Sequence, residues 1–148
     1  LSKKVYIDKN TNIVQSINNS DRVELFFRIN ETLNPYYCLE IDPTPRVMDF
    51  KALPNKVFDF SWDWPKEEIV VRSSIYTTYF TVEGSISLAS LTDLGLLNEG
   101  NIEAGIYRAK YNIKEDGHYI PTWISWVTPK TKSPNFHTPK SFGVLKLV

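Results

Sequence analysis

The sequence is poor in cysteine, methionine and histidine, and each shortage narrows the classes of protein it can belong to. Its 148 residues include one cysteine, Cys38, one methionine, Met48, and two histidines, His118 and His137. A single thiol cannot form an intrachain disulfide, so a scaffold stapled by disulfides is excluded. No residue beside Cys38 in the sequence would lower the pKa of its thiol, and we interpret it as buried and inert.

The chain also lacks an excess of charge of either sign and any long apolar run. Lys+Arg and Asp+Glu both number 17, which gives a formal net charge of +0. Nucleic acids and anionic membrane surfaces select basic proteins, so neither is an expected partner. No apolar run approaches the length that spans a membrane, and a membrane protein is not expected on that ground.

Short catalytic motifs are absent as well. The sequence has no glycine-rich phosphate loop, no G-x-S-x-G, no H-E-x-x-H and no C-x-x-C. The two histidines flank a predicted strand, so two turn or surface histidines are a better interpretation than a metal pair. Carboxylates are abundant, but no motif singles out an acid and a nucleophile. We therefore predict a protein that is not an enzyme.

What the sequence does have is the alternation of apolar and polar residues that is typical of β-strands. The composition, 42% hydrophobic and 14% aromatic, fits one globular domain over residues 1–148. Alternating segments between turn residues predict strands at 23–29, 36–42, 46–53, 57–65, 67–75, 79–88, 102–113, 119–127 and 142–148. The one helical signal is short, with spaced leucines over residues 88–95 and Gly95 as the cap. The prediction is an all-β fold, an antiparallel β-sandwich of jelly-roll type with at most one short helix.

The segment 57–65, VFDFSWDWP, alternates four aromatic rings with small polar residues. In an extended strand the four rings share one side. Such a ladder is more often core than binding site. However, Trp62 and Trp64 run up to Pro65, where a loop could present both rings to a flat ligand. Both interpretations stay open, and these two tryptophans are candidate ligand-binding residues.

Four segments in fixed order resemble the family 9 carbohydrate-binding modules, which belong to the wider group of DOMON-like sandwiches. They are DRVELFF (21–27), YFTVEGSISLASL (79–91), WISWVTP (123–129) and NFHTPKSFGVLKL (135–147). The resemblance implies a β-sandwich that binds sugars without cleaving them. It also implies an accessory role in degrading plant polysaccharides of the xylan or cellulose type, attached to or beside a glycoside hydrolase.

Further expectations come from the same resemblance. The implied partner is an oligosaccharide or polysaccharide, and the implied location is extracellular, periplasmic or on the cell surface. Some family members carry structural calcium, which is compatible with this chain. Members usually have two or more strands before the DRVELFF segment, whereas only about 20 residues precede it here and residues 2–10 are predicted as one such strand. The resemblance therefore implies that the N-terminal part is shortened or lies outside this chain.

The resemblance also suggests site residues. Family members clamp a terminal sugar between two tryptophans and bond its hydroxyls with polar side chains. Glu24 falls on a sugar-hydroxyl acceptor, and Phe136 falls on one of the two tryptophans. Asn18 stands where the other tryptophan is expected. Further polar positions around the sugar fall near Cys38 and Glu40, and another falls near Arg108 or Lys110, with the register open.

Two other functions remain open at this point. DOMON-like sandwiches include haem-binding electron-transfer domains, for which Met48 with His118 or His137 would have to supply the axial ligands. The missing tryptophan alternatively fits a degenerate sandwich that serves as a structural or interaction module. A flat, filled surface next to Phe136 would favour that module, whereas an open aromatic groove would favour sugar binding.

Overall fold

The computed structural model describes residues 4–148. Its strands and helices follow one another as α1 (Ile13–Asn18), β1 (Arg22–Arg28), β2 (Tyr36–Ile41), β3 (Val47–Leu53), β4 (Val57–Asp59), β5 (Ile69–Ile75), β6 (Phe80–Ile86), α2 (Leu88–Asp93), β7 (Leu97–Asn98), β8 (Asn101–Ile113), β9 (Tyr119–Ser125) and β10 (Gly143–Lys146). A turn of 3-10 helix, Pro139–Ser141, precedes β10. None of the helices in residues 4–148 has the length and apolarity needed to cross a membrane.

The strands form two antiparallel sheets. The larger sheet has the order β10-β8-β1-β2-β3-β4, and β7 and β9 also pair with the long strand β8. The smaller sheet is the β5-β6 hairpin, which packs through Ile69 and Ile86 onto the larger one. The prediction of an all-β antiparallel sandwich with a helix near 88–95 is confirmed. The pattern did not predict α1, whose start is set by the Asn12 side chain accepting a hydrogen bond from the N–H of Gln15.

Each face of the larger sheet has its own core. The period of two along β1 sends Phe26 to one face and Phe27 to the other. The face of Phe26 packs against Phe136 and Phe142 from the segment before β10, and we call it the loop-covered face. The face of Phe27 packs against α2 and the β5-β6 hairpin, and we call it the hairpin-covered face.

Residues 57–65 do not form one strand. Strand β4 ends at Asp59, whose carboxylate accepts hydrogen bonds from the backbone N–H (3.0 Å) and the hydroxyl (2.5 Å) of Ser61. This turn redirects the chain, so Phe58 packs on the loop-covered face and Trp64 on the hairpin-covered face. The prediction that the four rings share one side is wrong, because the period of two holds only while the chain stays extended.

Trp64 lies in the core of the hairpin-covered face. Its side chain is 1% exposed, and its Nε1–H donates a hydrogen bond of 3.0 Å to the hydroxyl of Ser90 in α2. Trp62 is half-buried and packs on Tyr37, with 4.8 Å between the ring centroids. Trp64 thus has no free ring face, and of the two interpretations of this segment the structure shows core for Trp64.

The start of the described chain is held by a buried carboxylate rather than by strand pairing. Residues 4–10 form no strand, and residues 2 and 3 of the predicted strand 2–10 lie outside the described residues. Asp21, which is 0% exposed, accepts hydrogen bonds from the N–H groups of Tyr6 (3.2 Å) and Tyr111 (2.6 Å) and from Lys110 Nζ (2.9 Å). The strand expected at 2–10 is therefore not formed by residues 4–10.

Replacing Trp64 with alanine tests its assignment to the core. We expect Trp64→Ala to lower the free energy of unfolding by about 3–5 kcal/mol, because a buried ring is lost and the hydroxyl of Ser90 loses its donor. Phe60→Ala is the matched control, because that ring is 53% exposed. Urea unfolding followed by far-UV circular dichroism gives both values, and equal losses for the two variants would contradict the assignment.

Candidate functional site

Arg22 lies between two buried carboxylates on the loop-covered face. Its Nε donates a hydrogen bond of 2.8 Å to Glu40 Oε2, and its Nη2 lies 2.8 Å from Glu24 Oε1. Its Nη1 donates a hydrogen bond of 2.7 Å to the carbonyl of Asn18 at the end of α1. The β1-β2 register sets Glu24 directly opposite Glu40, so one planar guanidinium reaches both acids.

The charge of this trio, Arg22, Glu24 and Glu40, is not balanced. Burial and the neighbouring Glu40 raise the pKa of the Glu24 carboxyl, although Arg22 acts in the opposite direction. Burial also raises the pKa of Glu40. Oε1 of Glu24 is buried, and the guanidinium that it contacts at 2.8 Å is shared with Glu40. A proton on one of the two acids relieves both the repulsion and the cost of a second buried charge.

An aromatic wall made by Trp123 and Phe136 stands beside the trio. The guanidinium carbon of Arg22 lies 5.3 Å from the centroid of the Trp123 ring, and that ring meets Phe136 edge-on at 5.6 Å. Phe136 stacks on Tyr107 at 4.1 Å, so one of its faces is covered and its side chain is 8% exposed. Trp123 is only half-buried and offers more free ring surface than Phe136.

The position of Phe136 depends on a glycine. A side chain at Gly105 would collide with the hydroxyl end of the Tyr107 ring. The tyrosine hydroxyl lies 3.0 Å from the carbonyl and 2.8 Å from the hydroxyl of Ser141, which share its one proton, and the Ser141 hydroxyl donates a hydrogen bond of 2.5 Å to the carbonyl of Phe136. Strand β8 therefore fixes the loop that carries Phe136.

His137 contributes a neutral polar group. Its Nδ1 lies 2.8 Å from the hydroxyl of Tyr36, and its ring packs on Phe26 and Phe58 with centroids 4.8 and 4.9 Å away. Burial and the positive charge of Lys56 lower the pKa of His137 to about 4. The imidazole is consequently uncharged at neutral pH.

The trio, the aromatic wall and His137 line one pocket of about 250 Å³, with Asn18 and Lys56 among its other lining residues. The pocket combines ring surface on one side with carboxyl, guanidinium and amide groups on the other. Such a combination can hold a small molecule that has both apolar faces and hydroxyl groups.

The structure brings together three of the six sequence-predicted site residues. Glu24, Glu40 and Phe136 all line this pocket, and Asn18, at the place of the missing tryptophan, lines it too. The other three lie away from it, and for each the reason is strand parity or a turn.

Arg108 is on the hairpin-covered face. It pairs with Val23, one position before Glu24, and its guanidinium carbon lies 5.2 Å from the ring centroid of Phe80. Trp62 and Trp64 belong to the same face, beyond the Asp59 turn. These three side chains therefore do not lie beside Glu24 and Phe136, where they were expected. For Arg108 the reason is that a strand alternates its side chains between faces, and for the two tryptophans it is the turn.

Sequence reasoning missed Arg22, Trp123 and His137 as site residues. Arg22 could have been found, since it lies two residues before Glu24 and so shares its face. Trp123 required the β8-β9 register, which sets it opposite Ala109. The other tryptophan of that segment, Trp126, is 48% exposed and packs over Gly143 on the opposite face.

The candidate metal and haem ligands are not gathered. Within residues 4–148, no three His, Cys, Asp or Glu side chains are grouped so that they could hold a metal ion. Met48 is buried in the core of the loop-covered face, and His118 is exposed in the β8-β9 turn beside Asp116. His137 is bound to Tyr36. No geometry among these residues favours axial ligation of haem.

The raised pKa values of the trio predict how stability depends on pH. An acid whose pKa is higher in the folded than in the unfolded state contributes stability that is fully present below the unfolded pKa and is lost as the pH rises through the folded pKa. The stability contributed by the trio should therefore fall as the pH rises from 4.5 towards the folded pKa of Glu24, which is about 8, whereas the lowered pKa of His137 acts in the opposite direction below 6.5. Each tenfold difference in proton affinity between the two states corresponds to about 1.4 kcal/mol.

Glu24→Gln removes one of these acids while keeping the shape of the side chain. We expect the midpoint of thermal unfolding of the variant to gain on that of the wild type as the pH rises from 5 to 8, because the contribution of His137 is common to both proteins and cancels in the difference. Glu115→Gln, at an exposed turn position, is the control and should follow the wild type. Parallel pH profiles for wild type and Glu24→Gln would show that the trio does not hold an extra proton.

Residues 3–148 match the sequence profile of the family described as carbohydrate family 9 binding domain-like. No protein with a curated description matches the chain. The fold is similar to the crystal structure of a "putative carbohydrate-binding protein" from Bacteroides uniformis ATCC 8492, with a TM-score of 0.58 and 17% sequence identity. The similarity covers 98% of this chain and 67% of that one, and at this identity it shows the fold alone.

Proposed function

The chain belongs to the carbohydrate family 9 binding domain-like family, whose members are non-catalytic binding modules, and we propose that it binds a saccharide in the pocket beside Trp123. The observation that carries the proposal is the meeting of a half-buried tryptophan ring with the Arg22, Glu24 and Glu40 trio in one pocket. Membership of the family supports a saccharide as the class of ligand, and the geometry of this pocket supports the proposed place of binding.

The chemistry of the pocket suits a pyranose ring. A pyranose has apolar C–H faces and a rim of hydroxyl groups, so it needs a flat apolar surface and polar groups at right angles to it. Trp123 offers the surface, and stacking of this kind contributes about 0.5–1.5 kcal/mol beyond the area buried. Asn18 and the trio offer the polar groups for the rim.

We further propose that the ligand is a plant polysaccharide of the xylan or cellulose type. In these β-1,4-linked polymers the ring substituents are equatorial, which leaves both faces of each unit flat and apolar. A single tryptophan can therefore cover a face without a second ring. In this proposal the domain acts outside the cytoplasm as an accessory module that keeps a glycoside hydrolase near its polymer.

The shape of the surface bears on the competing hypothesis of a degenerate interaction module. That hypothesis predicts a flat, filled surface next to Phe136. A pocket of about 250 Å³ beside Phe136 and Trp123 supports saccharide binding instead. Haem binding has no comparable support, because Met48 is buried and His118 lies in an exposed turn.

Titration calorimetry with xylo- and cello-oligosaccharides tests the proposal. We expect Trp123→Ala to weaken binding about tenfold or more, since it removes the stacking surface. Trp123→Phe should retain part of the affinity, and it controls for a loss of binding that is caused by misfolding rather than by the loss of the ring. Trp126→Ala, on the opposite face, is the matched control and should bind like the wild type.

Two outcomes would overturn the proposal. One is the absence of binding to every member of the panel by a folded wild-type protein. The other is equal weakening by Trp123→Ala and Trp126→Ala, which would show that the saccharide does not bind in this pocket.

A further inference from the structure

We propose that the saccharide carries an anionic group, held in a second pocket next to the first; this inference rests on the proposed function. The second pocket measures about 220 Å³ and shares Trp123, Pro134 and Phe136 with the first. The two pockets therefore adjoin at the aromatic wall. A ligand of two or more sugar units that stacks on Trp123 would place neighbouring units in both.

The second pocket differs from the first in its charge. Lys130 and Lys132 line it, and no carboxylate does in the described part of the chain. Both lysines are exposed, and neither forms an ion pair with a residue of the 4–148 range. In a chain with equal numbers of acidic and basic residues, two lysines without counter-ions in one pocket are a local excess of positive charge.

The hydroxyl groups in the second pocket add neutral hydrogen-bonding capacity. Ser125 and Thr128 line it together with the lysines. A carboxylate or a sulfate ester accepts hydrogen bonds from both ammonium and hydroxyl groups. The shared chemistry of the expected ligand is therefore an acidic saccharide, with either a uronate or a sulfate as the source of the charge.

The charged side chains that line the first pocket indicate which sugar unit carries the anionic group. Glu24 and Glu40 already share the single guanidinium of Arg22, so the positive group at the floor of this pocket already has carboxyl partners. An anion placed at this floor would lie beside the ionised acid of the pair and would be repelled by it. An uncharged sugar unit therefore lies beside the trio in this proposal, and the charged unit lies beside Lys130 and Lys132.

A third lysine places one positive charge in the first pocket, against two in the second. Lys56 lines the first pocket from the turn between β3 and β4, and its charge contributes to the low pKa of His137. It too has no ion pair among the described residues. Its backbone lies in the left-handed region, with φ of 58°, as does that of Lys130, with φ of 54°.

The test compares matched ligands that differ only in one charged group. Titration calorimetry would use cellobiose, cellobiose oxidised to the carboxylate at C6 of either unit, and cellobiose 6-sulfates on either unit. We expect at least one anionic ligand to bind about two- to tenfold more tightly than cellobiose at 50 mM salt, with the advantage shrinking at 500 mM. The carboxylated and sulfated arms then show which source of charge fits.

Variants locate the effect. Lys130→Gln together with Lys132→Gln should abolish the preference for the anionic ligand, measured as the ratio of its affinity to that of cellobiose for the same variant. Lys114→Gln together with Lys140→Gln changes the same number of charges at other exposed positions and should preserve the preference.

The outcomes separate this inference from the proposed function. If cellobiose binds and no anionic ligand binds more tightly, or if both double variants reduce the preference equally, the inference is wrong while saccharide binding stands. If neither neutral nor anionic ligands bind the folded protein, both are wrong.

Discussion

The structure depends on one guanidinium held between two buried carboxylates. Without Arg22, Glu24 and Glu40 would lie opposite each other on adjacent strands with no counter-charge, at a position where neither is more than 7% exposed on its side chain. Breaking a buried pair of this kind costs several kcal/mol, because a bare charge remains. The register of β1 and β2 and the polar floor of the pocket are thus one feature, and a shift of one residue would destroy both.

Aromatic side chains surround this polar floor, and their contacts fix the site relative to the sheet. Tyr107 on β8 occupies the space left by Gly105, stacks on Phe136 and bonds the loop before β10 through Ser141. Trp123 comes from β9, which pairs with the far half of the same strand. Strand β8 therefore sets the relative positions of both rings, and the pocket is formed largely before any ligand arrives.

Much of this could be predicted from the sequence, because alternation reports directly on strands and faces. The hairpin of β1 and β2 and the helix at 88–95 follow from local patterns, whereas Glu24, Glu40 and Phe136 were expected as site residues only because of the resemblance to family 9 modules. The errors arise where a turn or the pairing of distant strands decides which face a side chain occupies, because a local pattern does not contain that information. The turn made by Asp59 puts Trp64 on the other face, and the pairing of β8 with β1 puts Arg108 opposite Val23 rather than opposite Glu24. Trp123 could not be assigned to the pocket, since only the β8-β9 register places it there.

The central claim is that a saccharide binds on the loop-covered face, beside Trp123. The four tryptophans of the chain make a direct test, because their indole N–H groups give separate signals in a ¹⁵N-labelled sample. Titration with a xylo- or cello-oligosaccharide should shift the indole signal of Trp123 and leave that of the buried Trp64 in place. Shifts confined to Trp62 or Trp126, on the opposite face, with Trp123 unmoved, would contradict the account.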